Sequence, residues 1–528
     1  MRIAATFVVV LAMAGGRADA ADRGDLGAAG QAGQKVNAPT LEVYSRETVV
    51  DVIVTDKDGK PVHGLTQADF TVTEDGREQA VRSFAEFADG AGVAAVPPET
   101  KQPGATFNNR GMVSGPVNVI LLDGLNVPAG MLFKARRAML DYLKAVPERS
   151  GPGGAETRAL ETPMAVFALT AHGLERLSGF TTDRDVLAVA VNRWVDWGSV
   201  RVEGWTKQWV TVHALEQLGA YVAKVRGRKN LIWFTPAMPV MLLRDGGYGW
   251  GSGEMTVVHM LMDAYELLSR AEVAVSPVDP SGVSALLGAR QMLMEQVARQ
   301  SGGTAYYNSN SLGGMLKKAL DSGREFYTLS YVPPRNKDDG HYHTIHVEVS
   351  RPGLKLLYRA GYNAEDPLSA KAIAPGPGLK DSVEKGKALE GTELLFDVAV
   401  QPSSEAARPI LVAGKVQAMA RFNVVYSLPA DEISPVVEGK PAGSLRFQVQ
   451  AFQANGKPVN IVAERVTVPP LLSVHGDPVT TPFRFAQQMD LPEGKLLLEV
   501  IVVNETSKNA GRMEIPLTVA IGSAISAK

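Results

Sequence analysis

The stretch Val117-Asn118-Val119-Ile120-Leu121-Leu122-Asp123-Gly124 decides how the middle of the chain is read. Its apolar residues run on almost without alternation, the pattern of a strand covered on both faces, and it ends on an acid and a glycine. Met131 to Val146 follows with Leu132, Ala135, Met139 and Leu143 at helical spacing. The same rhythm continues through MAVFALT (Met164 to Thr170), helices over Asp185 to Trp194 and Lys207 to Val225, and NLIWFT (Asn230 to Thr235). A helix over Thr256 to Ala271, VAVSPVD (Val273 to Asp279) and a helix near Leu293 to Gln300 complete it. Buried strands alternating with helices predict a doubly wound parallel α/β sheet. FYTLSYVP, YHTIHVEVS and LKLLYRAG then close residues 116–362 as an antiparallel extension.

On either side the period changes to two. Residues 41–88 carry VVDVIVTD, DFTVTEDG and AVRSFAEF separated by Asp-Gly turns, which predicts an N-terminal β-sandwich built from hairpins. Residues 392–528 alternate in the same way around an Asn-Gly turn and predict a C-terminal β-sandwich. Residues 89–115 and 363–391, rich in Gly and Pro and without periodicity, read as linkers.

The chain has 528 residues, beyond the roughly 250–300 at which a single core stops growing, so several domains are expected. Lys+Arg 54 against Asp+Glu 56 leaves a formal charge of -2, which removes the electrostatic case for nucleic acid as partner. With no cysteine, disulfides, thiolate-bound zinc, iron–sulfur clusters, thiol catalysis and a lipoprotein anchor are excluded. Arg2, the uncharged run Ile3 to Gly16 and Ala18-Asp19-Ala20 read as a signal peptide over residues 1–20, with a flexible segment over 21–40. Export to the periplasm or the exterior follows, with no integral membrane segment after cleavage, since no other window reaches roughly 18 apolar residues.

VNVILLDGLN, RKNLIWFTPAMP, VAVSPVDPSG, QSGGTAYYN, REFYTLSYVPP and YHTIHVEVSRPGLKLLYRAGY, with the N-terminal VDVIVTDKDGKPVHGLTQADFTVTEDG, resemble the bacterial family called the VWFA-related Acidobacterial domain. The resemblance covers roughly residues 45–362. It implies a von Willebrand A-like, Rossmann-like binding module between the two sandwiches, with no enzyme activity. It also implies a divalent cation at the carboxyl edge of the sheet, held after the first strand by Asp-x-Ser-x-Ser. Here that pattern reads Asp123-Gly124-Leu125-Asn126-Val127, so only the Asp remains. Magnesium wants an octahedron of hard oxygens, which Leu125 and Val127 do not supply. Thr206 is a candidate for the Thr of a later loop, and Pro236 and Ala237 stand where a further Asp is expected. The expectation is therefore no cofactor, with magnesium at a degenerate Asp123 site the one candidate, and Asn126 and Asp279 the side chains able to add oxygens. The other reading of Asp123 is a cap on the following turn.

The partner surface is expected at the carboxyl ends of the strands, where Asp123, Asn126, Asp279 and Ser281 meet the glycine-rich loop carrying Tyr248 and Trp250. Trp194, Trp209 and Trp233 read as packing residues. His341, His343 and His346 do not converge on a strand, because His341 and His343 share a face and His346 points away. No nucleophile elbow, phosphate loop, His-Glu-x-x-His or dinucleotide fingerprint is present. The leading expectation is an exported, non-enzymatic binding protein with a protein or glycan partner in the cell envelope. The alternatives are an extracytoplasmic hydrolase with an unrecognised site and a structural spacer.

Overall fold

The computed structural model describes residues 47–88, 106–109, 115–145, 159–194, 204–236, 264–265, 267–269, 271–283, 288–333, 341–364, 394–412, 415–433, 443–468, 482–506 and 509–521. The expected signal peptide lies outside them. No described helix is long and apolar enough to cross a membrane.

The N-terminal strands form two four-stranded antiparallel sheets only with help from residues far along the chain. In the first, β1 (Thr48–Thr55) lies between β11 (Phe326–Tyr331) and β13 (Lys355–Leu357), and β4 (Val81–Phe87) pairs with the far side of β11. In the second, β2 (Phe70–Glu74) lies between β3 (Arg77–Gln79) and β12 (Tyr342–Val349), with β14 (Gly361–Asn363) outside β12. Alternate residues turn inward as the pleat requires: Val50, Val52, Val72, Leu329, Ile345 and Val347 share one core. FYTLSYVP, YHTIHVEVS and LKLLYRAG are thus the missing half of this sandwich, not an extension of the central sheet.

The central sheet has five strands in the order β10-β9-β6-β7-β8. β6 (Val117–Asp123), β7 (Met164–Thr170), β9 (Lys229–Phe234) and β10 (Val273–Val278) run parallel, and β8 (Gly173–Thr181) returns antiparallel to β7. Val119 and Leu121 of β6 pack with α3 (Gly204–Val222) and α4 (Ala289–Ser301). Ile120 and Leu122 pack with α1 (Ala129–Lys144), α2 (Arg184–Arg193) and α5 (Leu312–Ser322).

The expectation of a doubly wound, von Willebrand A-like or Rossmann-like α/β domain as the body of the chain is corrected. The structure is mainly β: strand residues outnumber helical ones two to one, 47% against 23%. Among the described residues there are five sheets of four or five strands and one two-stranded ladder, and of these the central one alone contains parallel pairs. Even that sheet is mixed. The physical reason is twofold: Gly173, at φ +110°, folds β8 back on β7 as a hairpin, and the strands after residue 325 find partners in the N-terminal segment.

The C-terminal sandwich stacks β5 (Thr106–Asn108), β15 (Asp397–Pro402), β18 (Met419–Leu428) and β21 (Phe483–Pro492) on a second sheet. That sheet holds β19 (Gly443–Gln453), β20 (Pro458–Val468), β22 (Gly494–Asn504) and β23 (Ala510–Val519). Phe396, Val398, Tyr426, Phe447, Leu498 and Ile515 fill the space between. β16 (Ile410–Val412) and β17 (Lys415–Gln417) make the short ladder. β5 comes from the expected linker 89–115 and pairs with β15. The Asn455-Gly456 hairpin tip rests on the end of α2, where Asn192 Nδ2 donates to Ala454 O at 3.1 Å. Beside it Arg193 meets Glu499 at 2.9 Å and Arg176 meets Glu514 at 3.9 Å, with Arg512 between the two carboxylates. Val186, Val189, Phe452 and Leu497 close the contact with apolar surface.

Candidate functional site

Asp123 closes β6 and is completely buried. Its Oδ1 accepts from the backbone N–H of Leu125 at 3.2 Å and of Asn126 at 2.8 Å. Its Oδ2 accepts from Asn126 Nδ2 at 3.0 Å and from Trp233 Nε1 at 3.2 Å. Burial pushes this carboxyl up to about 6, against the downward pull of the four N–H donors. Asn126 Nδ2 also donates to Thr211 Oγ1 at 3.0 Å, and that hydroxyl donates onward to Lys207 O at 2.7 Å. Asn126 Oδ1 is left as a buried acceptor without a hydrogen-bond partner.

This donor set does not fit a divalent cation. Both carboxylate oxygens are already occupied by N–H groups, Leu125 and Val127 are buried apolar side chains, and the indole of Trp233 covers one approach. Among the described residues of the cage, Asn126 Oδ1 and Thr211 Oγ1 remain as hard side-chain oxygens, far short of the six that magnesium requires. Asp123 acts as the cap of the turn that leads into α1, the second of its two sequence readings.

Asp279 follows β10, is buried, and accepts from Ser281 N at 2.8 Å. The turn continues through Gly282, at φ +91°, to Val283, whose N–H donates to Asn310 Oδ1 at 3.2 Å. Ser281 Oγ lies 3.6 Å from Met131 Sδ in the first turn of α1. The structure therefore unites Asp123 with Asn126 in one cage and Asp279 with Ser281 in a neighbouring turn, with Met131 linking the two. Tyr248 and Trp250 lie outside the described residues, as do Ala237 and the side chain of Thr206.

Residues 305–311 extend the same edge, because Tyr306 bridges Val278 in parallel. Here a cavity of about 340 Å³ opens between Tyr306, Tyr307, Ser309, Ser311, Met315 and Lys318. Phe133 on α1 and Val283 on the Asp279 turn stand 60% and 62% exposed.

Sequence reasoning missed Trp233 and Thr211 as members of the Asp123 cage. Trp233 read as packing, which its burial satisfies; that it sits opposite Leu121, two residues from Asp123 on the adjacent strand, follows only from the register. His343 is buried and His346 exposed, on opposite faces of β12 as alternation requires, while His341 is exposed just before it.

No family model matches the chain, and neither does any curated protein. Among solved structures, it is similar to proximal thread matrix protein 1 from the mussel byssus, at 13% identity over 40% of this chain and 48% of that one, with a TM-score of 0.24. It is also similar to the human COPII-coat protein Sec24c, at 9% identity over 49% of this chain and 46% of that one, again with a TM-score of 0.24. The chain spans about half the length of each, and likenesses this distant carry no argument about its fold or function.

Proposed function

We propose that the chain is an exported, non-enzymatic binding protein that engages a protein partner in the cell envelope through the edge formed by the ends of β6 and β10. The observation that carries this reading is the pairing of exposed Phe133 and Val283 with acids that are turned inward. Asp123 spends both oxygens within its own cage, and Asp279 spends Oδ1 on the Ser281 N–H, so the two acids serve the turns that carry the edge. Exposed apolar side chains beside inward-turned acids suit a contact surface. Export rests on Arg2, Ile3 to Gly16 and Ala18-Asp19-Ala20, and the mature protein should begin at Ala21 by N-terminal sequencing.

A glycan partner is the second reading, and the cavity lined by Tyr306, Tyr307, Ser309 and Ser311 favours it, since aromatic rings and hydroxyls together suit a sugar. A photo-crosslinker placed in turn at Phe133, Val283, Lys318 and Ile461, the last an exposed apolar residue of β20, tests both. Protein adducts at Phe133 and Val283 support the first reading and glycan adducts at Lys318 the second. Adducts at Ile461 alone would move the binding surface to the C-terminal sandwich.

A further inference from the structure

Glu74, Asp75 and His343 meet at one end of the N-terminal sandwich, away from the edge discussed above. The end of β2 delivers Glu74, the turn to β3 delivers Asp75, and β12 delivers His343 two residues from Ile345, the register partner of Glu74. One ligand atom from each of the three lies within 4.8 Å of the others. His343 Nδ1 is 2.8 Å from Asp75 Oδ2 and 4.0 Å from Glu74 Oε1. Tetrahedral zinc with bonds of ~2.1 Å separates its ligands by about 3.4 Å, so His343 Nδ1 stands within about 0.6 Å of ligand spacing from each of the two carboxylates.

Two further features favour a cation here. The side chains of Glu74 and His343 are 4% and 5% exposed, and Glu74 has no Lys or Arg at ion-pair distance among the described residues. Arg359 lies over the Tyr362 ring instead. A buried carboxylate without a Lys or Arg partner is costly unless neutralised, and a divalent ion beside Glu74 would supply that charge. The ligands are also held in place from behind. Tyr331 and Tyr362 donate to Glu74 Oε2 at 2.6 and 3.0 Å, which turns Oε1 toward His343. Thr344 N donates to Asp75 Oδ1 at 3.0 Å, which turns Oδ2 the same way. Such supporting hydrogen bonds orient metal ligands and fix their geometry.

We propose that Glu74, Asp75 and His343 form a binding site for a divalent transition metal, with zinc as the type ion. One nitrogen and two carboxylate ligands suit zinc better than magnesium, and the half-exposed side of Asp75 leaves a position for water.

The test uses the full chain stripped with chelator and titrated with zinc chloride by calorimetry, with cobalt(II) as a spectroscopic probe. The expected result is uptake of about one equivalent with a rise in melting temperature, and a tetrahedral cobalt absorption band. Asp75→Asn, on an exposed turn, should weaken zinc by at least about tenfold, as should His343→Gln, whereas His346→Gln should leave it unchanged. If His343→Gln fails to fold, Asp75→Asn and the cobalt spectrum still decide. No uptake by the unmodified chain at about 1 mM zinc, or an affinity unmoved by Asp75→Asn, would overturn the proposal and leave a plain His343–Asp75 ion pair.

Discussion

The indole Nε1–H of Trp233 donates to Asp123 Oδ2 at 3.2 Å, so the acid that closes β6 is satisfied from the neighbouring strand β9. Trp233→Phe removes this donor and leaves part of the indole volume empty in a fully buried site. The expected cost is about 2–4 kcal/mol in a urea melt, because a buried carboxylate oxygen loses one of its two partners and a cavity opens beside it.

The pH dependence of the same acid has a definite sign. Its folded-state value of about 6 stands above the ordinary 3.8, so the folded protein holds the proton more tightly than the unfolded chain does. The stabilisation is full below about pH 4 and is lost as pH rises through 6, amounting to about 3 kcal/mol. Urea melts of the natural protein and Asp123→Asn from pH 4 to 7 should show the natural protein losing about that much relative to the variant. A constant difference would contradict the burial of a titrating Asp123.

Magnesium should leave the protein unmoved. With both Asp123 oxygens taken by N–H donors, millimolar magnesium is expected to shift the melting temperature by less than about 1 °C. A saturable rise would mean that the Asp123 cage opens to admit the ion.

Glu514 is the acid most exposed to disruption by substitution. Burial alone would raise its carboxyl, but Arg176, Arg512 and Arg193 hold it below the ordinary carboxylate range. Glu514→Gln should cost about 3–5 kcal/mol, since it strands buried guanidinium charge between β8 and the C-terminal sandwich. The stability contributed by Glu514 is present above about pH 4.5 and lost as pH falls below it, so the variant should show a weaker acid limb in thermal melts.

Gly456 turns the β19–β20 hairpin at φ +81°, and a Cβ there would sit 2.3 Å from Arg193 N. Gly456→Ala therefore combines left-handed strain with a backbone clash at the seam onto α2. A loss of about 3 kcal/mol or more is expected by chemical denaturation, against about 1–2 kcal/mol for Gly59→Ala, a turn of similar φ with open space around it.

How much of this was legible depended on the range of the interaction. β6, β7, β9 and β10 announce themselves through apolar runs, while β8, with Glu175 and Arg176 inside it, does not, and the alternation of β12 placed His343 and His346 on opposite faces correctly. The Asn455-Gly456 turn was visible as a turn, while its seat on Asn192 and Arg193 is a contact between distant segments that no local pattern encodes. The same limit hid the pairing of β1 with β11, because alternation tells which face is buried but not which strand lies alongside. The loss of the expected metal ligands was readable at Leu125 and Val127. What replaced them was not: Trp233 reaches Asp123 from another strand and Thr211 reaches Asn126 from α3.

The binding edge is the central claim, and the affinity of the captured envelope partner for Phe133→Glu tests it most directly. The account predicts a loss of at least about tenfold in affinity with an unchanged melting temperature, since Phe133 is 60% exposed, while Ile461→Glu binds as the natural protein does. Full affinity in Phe133→Glu together with its loss in Ile461→Glu would contradict the account and assign the contact to the C-terminal sandwich.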